Sequence, residues 1–467
     1  MAYSYVGIQT LLLATEYSDI YWNCACLITN AGGADLLDAD DVDRDEEDEE
    51  EDAKKKKNKS VNYGKISIAL GKSKKDGLNV LPPDINESDL IFKPDATKGA
   101  IIYGLKGIDR IGTTLVYEII KNRPYTSISD FMSKVKVNKT QMISLIKSGA
   151  FDILHTDRIQ AMNDYLDIIA DKKKRITLQN MMMLIKKDLI PLSLEFEVKV
   201  FNFNKYIKQF SDDTTYHLDN IAMKFYSEHF DMDLLSEVKV NALESYSTIK
   251  QTVWDNIYKK AMNPVRDWMK ANQEQILAAL NKSLYDEVVQ KYALGDINKW
   301  DMDSLGTYCH DHELKNLKIE AYGIENFDWL DPEPKISSEF RSKDGGIIRL
   351  YEITRICGTI IDKDKNKSTV TILTPSMQVV NVKVWKNQYA KWDRQISRKN
   401  PDGTKTIIEK SFFARGNKII ITGIRRDDDF VPKKYKNTSY PLFEKIEEMD
   451  KDGFITKSTT ERAEVEE

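Results

Sequence analysis

The fold is decided by the stretch Ile101 to Leu154, IIYGLKGIDRIGTTLVYEIIKNRPYTSISDFMSKVKVNKTQMISLIKSGAFDIL. Its first half predicts an apolar helix ending near Leu105, then the turn 108–112, then a second helix with Leu115, Val116, Ile119 and Ile120 inward at helical spacing. Its second half repeats this logic, since the turn 136–139 leads into a helix with Met142, Ile143, Leu145 and Ile146 inward, closed by Gly149. The stretch therefore predicts two helix-hairpin-helix motifs in tandem.

Hairpins of this kind can hold a phosphate at the start of their second helix, where backbone N–H groups and the helix dipole favour an anion. Contacts with phosphates fix a protein on DNA without reading its base sequence. The residues also allow a purely structural alternative, in which the two hairpins are packed core. The residues predicted to contact the DNA backbone are Lys106, Arg110, Gly112, Thr113 and Thr114 in the first hairpin, and Lys136, Asn138 and Lys139 in the second.

One residue departs from the usual hairpin pattern, which is apolar-x-Gly-apolar-Gly. Arg110 stands where the first glycine belongs. Its side chain either obstructs the close approach of backbone to phosphate or supplies a charged phosphate contact of its own. Both alternatives are open from the sequence.

Several separate motifs occur in one order at close spacing: LPPDINES at 81–88, LIF at 90–92, YGLKGI at 103–108, SISDF at 127–131 and LIKSGAFD at 145–152. Together they resemble the alpha subunit of bacterial DNA polymerase III, a C-family replicative polymerase, in the region after its catalytic core. Residues 4–14 resemble the end of the fingers region of that family, and 305–308 with 312–314 resemble the segment entering its OB domain. Residues 156–297 have no counterpart in this resemblance.

Composition agrees with a globular protein of a reducing compartment. The chain has 467 residues, 41% of them apolar, and its four cysteines are too scattered for a disulfide framework. Cys309, His310 and His312 do not complete a tetrahedral metal site, so no metal is expected. The N-terminus lacks the basic start of a signal peptide, and no stretch is long enough to span a membrane. We expect a cytoplasmic protein, of a bacterium or of the host of a phage.

The charge is unevenly distributed along the chain. The net charge is −5, yet residues 63–158 hold 15 basic and 10 acidic residues and residues 341–438 hold 22 and 10. These two segments are therefore +5 and +12. Basic segments on an acidic background are typical of a nucleic-acid protein.

The predicted fold class is α+β, with a mostly helical N-terminal two-thirds and a C-terminal OB barrel. The pattern of the chain predicts a fingers-like docking helix within 1–30, a disordered acidic and basic linker at 31–62, the tandem hairpin domain at 63–155, a helical domain at 156–335, the OB domain at 336–438 and an acidic tail at 439–467.

The OB prediction rests on a change from helical to alternating hydrophobicity after residue 347. Strands are expected at 350–362, 368–374, 378–385 and 418–425, with a helix at 387–396 between them. Cations interleaved with aromatic residues favour single-stranded DNA as ligand. The alternative is that Trp385 and Trp392 belong to the barrel core, with solvated lysines around them. The predicted contacts are Arg355, Lys383, Trp385, Lys386, Tyr389, Trp392, Arg425, Arg426, Lys433 and Lys434, with Phe430 and Tyr435 beside them.

A polymerase active site needs paired carboxylates that hold two metal ions. The pairs Asp301/Asp303 and Asp362/Asp364 have the bare spacing but lie in the wrong context, and the resemblance implies that the catalytic aspartates precede the matched region. No catalytic residue is therefore expected in this chain, and Mg²⁺ is expected in a partner catalytic chain.

Two functions are consistent with the sequence. The first is the DNA-binding C-terminal part of a split, phage-encoded polymerase alpha subunit that holds duplex and single-stranded template, with Met1 just before the fingers-like segment. The second is a stand-alone accessory protein with the same DNA-binding modules. Under the first, residues 4–29 form one helix that docks on the catalytic chain. Residues 231–235 resemble the clamp-binding peptide of the family, with Asp231 in place of its leading glutamine, which implies a sliding clamp as partner.

Overall fold

A computed structural model describes residues 2–31, 63–207, 214–230, 235, 239–240, 247–341, 345–399 and 405–461. The predicted linker at 31–62, except residue 31, and residues 231–234 of the clamp-like peptide lie outside this range. The chain forms two compact units, one built from residues 1–163 together with 295–467 and the other from residues 164–294. The predicted helical domain at 156–335 is therefore divided between the two units, with only its central part in the second.

The helices of the first unit precede and follow the second unit in sequence. They are Ala2–Glu16, Asp19–Asn30, Tyr63–Lys75, Thr113–Lys121, Ile128–Lys134, Lys139–Lys147, Arg158–Ile169, Ile297–Leu305 and Lys386–Asp393. The later residues of Arg158–Ile169 belong to the second unit. The first unit also has 3-10 turns at Leu105–Gly107, Ile319–Tyr322 and Phe327–Trp329. The single helix predicted for 4–29 is wrong. Ser18 takes an extended backbone, with φ −64° and ψ 151°, and starts a new helix.

A small sheet precedes the first hairpin. Its strands are β1 Val80–Leu81, β2 Lys93–Asp95 and β3 Ala100–Ile102, in the order β1-β3-β2. The apolar helix predicted before Leu105 is therefore wrong, because the buried run 100–102 pairs as a strand and only a 3-10 turn follows it. The motif 90–92 lies just before β2, which begins at Lys93.

The C-terminal strands form a closed OB-like barrel, as predicted. They are β9 Thr354–Asp364, β10 Thr369–Leu373, β11 Val379–Lys383, β14 Lys418–Arg426 and β15 Asp429–Pro432. Strand β9 pairs with β10 and β14, β10 with β11, and β15 closes the ring by pairing parallel to β11 and antiparallel to β14. The helix Lys386–Asp393 lies between β11 and β14 in sequence, close to the predicted position.

Additional strands extend from the barrel. Two separate hairpins are formed by β7 Ile336–Arg341 with β8 Ile347–Tyr351 and by β12 Ile396–Lys399 with β13 Lys405–Glu409. Strands β16 Phe443–Met449 and β17 Ile455–Thr459 add to the outer side of β14. Residues 443–449 and 455–459 of the predicted acidic tail therefore form strands. In β16, Phe443 and Ile446 are buried in different clusters, and Glu444 and Lys445 are half-buried in ion pairs with Arg355 and Glu409.

The helix Tyr63–Lys75 packs directly on the outside of the barrel. A Cβ atom added at Gly64 would lie 2.3 Å from the Asp362 carboxyl carbon, and one at Gly71 would lie 2.4 Å from a Val379 methyl. These glycines let the helix approach β9 and β11 more closely than larger residues would allow. On the same side Ile68 packs in a cluster with Leu373 and Val379. The helix thus covers part of the face formed by β9, β10 and β11.

The second unit is described by itself. Its helices are Met181–Lys186, Glu195–Ile207, Asn220–His229, Gln251–Ala261, Asn263–Ala271 and Gln273–Tyr292, with 3-10 turns at Leu178–Asn180 and Leu192–Leu194 and a sheet of β4 Thr215–Leu218, β6 Ser247–Lys250 and β5 Lys239–Val240. One of these helices ends at Ala261, and the next has Pro264 in its first turn, where a proline is tolerated. Its core includes Phe203 and Trp254, with ring centroids 5.4 Å apart.

Candidate nucleic-acid interface

The first hairpin presents the helix start that the sequence predicted. Gly112 is the N-cap of the helix Thr113–Lys121, with an extended backbone, and Leu115, Val116 and Ile119 are buried beneath it. The turn is fixed from below, because the Asp109 N–H donates to the carbonyl oxygen of Ser304 at 2.8 Å. The hairpin is thus held rigidly, which is what a phosphate site needs.

Arg110 takes the backbone conformation of the glycine that it replaces. Its φ is +63°, in the left-handed region that residues with a Cβ rarely adopt. Its guanidinium is 3.5 Å from the carboxylate of Asp109, and the side chain is 40% exposed. The turn therefore keeps the shape of the usual motif while carrying an accessible cation at its tip.

Lys106 does not fit its predicted role. The residue is only 3% exposed, so its ammonium group cannot reach a phosphate in solvent. The sequence could not show this, because the apolar stretch on both sides of Lys106 forms a buried strand and 3-10 turn rather than a solvent-facing helix. The predicted phosphate contact at Lys106 is wrong.

The second hairpin begins its helix Lys139–Lys147 at Asn138, as predicted. The Asn138 Oδ1 accepts from the Gln141 N–H at 2.8 Å, and the Asn138 N–H donates to Gln141 Oε1 at 3.0 Å. This capping box uses the Asn138 groups internally. Asn138 therefore positions the helix, while Lys136 and Lys139 are exposed beside it.

Lys299 is a cation beside the first hairpin that the sequence did not indicate. Burial lowers the pKa of Lys147, and the nearby charges of Lys299 and Arg110 act in the same direction. Asp303 counters them, with its carboxylate 3.6 Å from Lys147 and 3.1 Å from Lys299. Lys299 comes from the helix Ile297–Leu305, far away in sequence, so no local signal could have revealed it. Three cations thus lie near one another: Arg110 of the first hairpin, Lys147 of the second hairpin and Lys299 of this helix.

Three of the residues predicted for the barrel face are buried instead. Arg355 is buried, and its guanidinium pairs with Glu444 at 2.7 Å. Tyr389 is buried, and Trp392 is 9% exposed with its ring against those of Phe412 and Phe443. The direct DNA contacts predicted for these residues are wrong, because Arg355 pairs with the distant Glu444 and because Tyr389 and Trp392 lie on the inner side of the helix Lys386–Asp393, against the barrel core.

Two more predicted residues also serve the fold. Arg425 donates to the carbonyl oxygens of Phe327 at 3.0 Å and Leu330 at 2.7 Å, and its guanidinium lies over the Phe327 ring. Phe430 is fully buried in the barrel core. Arg425 therefore anchors the segment before the barrel and is not aimed at a ligand.

The remaining barrel residues are accessible and form two groups. At the end of β11, Trp385 is 68% exposed and Lys386 and Lys383 are exposed, with Lys383 paired to Asp429. Beyond β14, Arg426 and Lys434 are exposed, while Lys433 and Tyr435 are half-buried. Aromatic rings beside cations are what single-strand contacts require.

Neither metal ligation nor membrane insertion is supported by the described part of the chain. Within the described ranges, no set of three or more His, Cys, Asp or Glu residues is arranged to hold a metal ion. No helix there has the length and apolar character of a membrane span. All four cysteines are free thiols.

Comparison with known proteins agrees with this geometry. A family profile described as a helix-hairpin-helix motif matches residues 77–161. The chain is 35% identical, over 477 aligned positions, to a probable DNA polymerase, YorL, of Bacillus subtilis and to a DNA-directed DNA polymerase of Bacillus phage SPbeta. These alignments cover 100% of the chain, which spans about a third (35%) of the length of each relative.

A DNA polymerase III subunit alpha of Borreliella burgdorferi is 30% identical over 199 positions, which are 40% of the chain and 16% of that protein. The alpha subunit of Mycobacterium tuberculosis is 36% identical over 121 positions, 24% of the chain and 10% of that protein. Over its whole length the chain is thus similar to part of each of these two DNA polymerases, and it resembles the C-terminal region of the bacterial DNA polymerase III alpha subunit.

Proposed function

We propose that this chain is the DNA-holding part of a replicative DNA polymerase. The observation that carries the proposal is the first hairpin, where Gly112 opens a helix and Arg110 offers a cation from a glycine-like turn. In this role the hairpin grips the phosphates of duplex DNA, and Lys136, Lys139 and Lys299 add charge around it. The homology of the whole chain to DNA polymerases supports this role.

The barrel holds the single-stranded template in this proposal. Exposed Trp385 stacks on a base, while Lys386 and the cations beyond β14 follow the backbone. The residues 341–438 that contain the barrel carry a net charge of +12, which attracts a polyanion.

The catalytic carboxylates and their Mg²⁺ ions lie in polymerase sequence outside these 467 residues, whether on a separate chain or on a preceding segment. Asp301 is fully buried in an ion pair with Arg158, and Asp362 packs against Gly64, so neither of the two pairs with the bare spacing, Asp301/Asp303 and Asp362/Asp364, is open to hold a metal with substrate. The site of action is the bacterial cytoplasm.

The helix Ala2–Glu16 docks the chain onto that catalytic part. Its sequence has no charged residue before Glu16, and Ile8, Leu11, Leu12 and Leu13 are all at least half exposed. Such a surface is a typical protein interface. The occupant is the catalytic part of the polymerase, because residues 4–14 resemble the end of the fingers region of the polymerase family. A sliding clamp, bound through 231–235, is a further partner that stays a prediction.

Binding of the full-length chain to a fluorescently labelled duplex, measured by anisotropy across a range of salt concentrations, tests the proposal. About four phosphate contacts predict a slope of log affinity against log salt of roughly −3 to −4. Duplexes of unrelated sequence should bind equally. The Lys224→Gln variant, which removes an exposed cation of the second unit, is the matched control and should bind like the wild type. A flat salt response, or strong preference for one sequence, would contradict the proposal.

A further inference from the structure

The hairpin of β7 and β8 has two chemically different faces. Pairing aligns Glu339 with Arg349 and Arg341 with Ile347, so these four residues and Tyr351 share one face. Phe340 pairs with Ile348 on the opposite face. All described residues of β7, and Ile347, Ile348 and Arg349 of β8, are exposed. The charged face is thus accessible along its length; Arg349 on it pairs with Glu339 at 3.2 Å, and Arg341 leaves the face with an excess of positive charge.

The charged face leads into a cluster at the foot of the hairpin. The Tyr351 N–H donates to the Tyr435 hydroxyl at 2.9 Å. The Lys433 ammonium lies 4.9 Å from the Tyr351 ring centroid and 5.4 Å from that of Tyr435, and the Arg426 guanidinium lies 5.8 Å from the Tyr351 ring. The two rings hold these cations near fixed positions. We call Arg341, Arg349, Tyr351, Arg426, Lys433 and Tyr435 the hairpin track.

The usual ligand face of an OB barrel, around its second and third strands and the loops at their ends, is restricted in this protein. The helix Tyr63–Lys75 covers one end of it, where Gly71 contacts Val379 and Leu373. At the other end, Lys383 is already paired with Asp429, and the exposed Asp427 and Asp428 adjoin it in sequence. These carboxylates repel a phosphate backbone. A nucleic acid therefore finds a longer favourable path on the hairpin track than on this face.

We propose that single-stranded DNA binds along the hairpin track, with phosphates on Arg341, Arg349, Arg426 and Lys433 and a base stacked on Tyr351. The inference rests on the proposed DNA-holding function and adds Arg341, Arg349 and Tyr351, which the sequence did not indicate, to the predicted contacts Arg426, Lys433 and Tyr435. A single strand is favoured over a duplex because only unpaired bases present their faces to a tyrosine ring. From Tyr351 to Ile347 the track rises about 13 Å along the strand, at roughly 3.3 Å per residue.

The test measures the affinity of the full-length chain for a labelled oligo-dT single strand across salt concentrations. In the variant R341Q/R349Q, the loss of two phosphate contacts should reduce the magnitude of the log–log salt slope by about 1.4, since each contact with a single strand contributes about 0.7. Tyr351→Ala should weaken binding by roughly 5- to 150-fold. Phe340→Ser changes the other face of the same hairpin and is the matched control, with unchanged affinity expected. Oligonucleotides containing 5-iododeoxyuridine should photo-crosslink to Tyr351 or Tyr435.

The outcomes separate this inference from the proposed function. If the wild-type chain binds neither duplex nor single strand, the proposed function itself fails. A second outcome is that the wild type binds oligo-dT and that both variants, R341Q/R349Q and Tyr351→Ala, bind it equally well with an unchanged salt slope. In that case the hairpin track is wrong and the proposed function survives. A loss of binding with Phe340→Ser alone would also overturn the track, because the strand would then contact the apolar face. Thermal unfolding of each variant identifies any loss that comes from misfolding.

Discussion

Arg158 and Asp301 form an ion pair with almost no exposure to solvent. The Arg158 guanidinium donates to one Asp301 oxygen at 2.7 Å, and the other oxygen accepts from the Cys309 N–H at 3.0 Å and from the His310 N–H at 3.2 Å. Arg158 follows the second hairpin, and Asp301 lies in the helix that supports the first hairpin turn. One carboxylate thus connects the hairpin region with the segment that enters the barrel.

Asp301→Ala should lower the free energy of unfolding by about 3 kcal/mol, because it removes one of the two carboxylates that pair with Arg158, which keeps Asp152 at 2.6 Å, and leaves two backbone donors without their acceptor. Asp303→Ala, two residues away in the same helix, removes a partly exposed carboxylate and should cost less than about 1 kcal/mol. Urea unfolding of both variants measures the difference. Equal losses of unfolding free energy in the two variants would show that the buried carboxylate of Asp301 contributes no more to stability than the partly exposed one of Asp303.

His312 should make the protein less stable in mild acid. Burial lowers its pKa to about 4, and the neutral ring is satisfied on both sides, since Nδ1 accepts from the Leu314 N–H and Nε2 donates to the Leu373 carbonyl oxygen, each at 3.0 Å. Because the unfolded histidine binds protons more readily, this contribution is complete above about pH 6.5 and is lost as the pH falls towards 4, by roughly 3 kcal/mol in all. Unfolding measured from pH 7 to pH 4.5 should show the loss, and His312→Gln should lack it.

His310 should show the opposite sign. Its Nδ1 is 2.8 Å from Asp301, and this hydrogen bond raises its pKa, against the weaker effects of partial burial and of Arg158. The contribution is complete below the unfolded pKa of about 6.5 and is lost as the pH rises through the higher folded value. Comparison of the wild type with His310→Gln between pH 6 and pH 8.5 measures it. A difference that grows with pH would contradict the assignment.

Arg110→Gly should separate stability from DNA binding. Glycine adopts a positive φ without strain, so the variant should be more stable than the wild type, by up to about 1 kcal/mol. It should also bind duplex DNA more weakly, with the salt slope reduced in magnitude by about 0.9. Asp188→Gly relieves a similar φ of +53° in the second unit and should leave DNA binding unchanged. Tighter binding by Arg110→Gly would mean that the side chain obstructs the phosphate.

The two tryptophans near the end of β11 should respond differently to alanine. Trp392→Ala should cost about 3–5 kcal/mol of stability, because the ring packs against Phe412 and Phe443. Trp385→Ala should leave stability unchanged and weaken single-strand binding by roughly 1–3 kcal/mol. Thermal unfolding and oligo-dT anisotropy on both variants distinguish the two roles. A stable Trp392→Ala variant with impaired binding would reverse them.

Local pattern was sufficient for some elements. The helix starts at Gly112 and Asn138 depend on residues within one turn, and both were predicted correctly. Four of the five barrel strands were predicted near their true bounds, while β15 was missed. The hairpin of β7 and β8 had a usable signal in Asp344-Gly345-Gly346, a turn sequence between two apolar runs, but the prediction began its first strand only at residue 350.

Long-range contacts account for most of the errors. Nothing near Lys106 or Arg355 shows that the chain folds over them, and their burial depends on segments that are distant in sequence. Lys299 joins the hairpin cations through the fold alone. For the same reason the sequence did not indicate that the helix Tyr63–Lys75 would cover part of the barrel.

The packing of that helix on the barrel also constrains the order of events during synthesis. The helix emerges from the ribosome about 300 residues before β11 does, which at 5–20 residues per second is a delay of roughly 15–60 s. Throughout that interval Gly64, Ile68 and Gly71 have no β9 or β11 to pack on. The nascent hairpin region therefore exposes a barrel-binding surface before its barrel exists, and it is during this interval that a chaperone would be needed most.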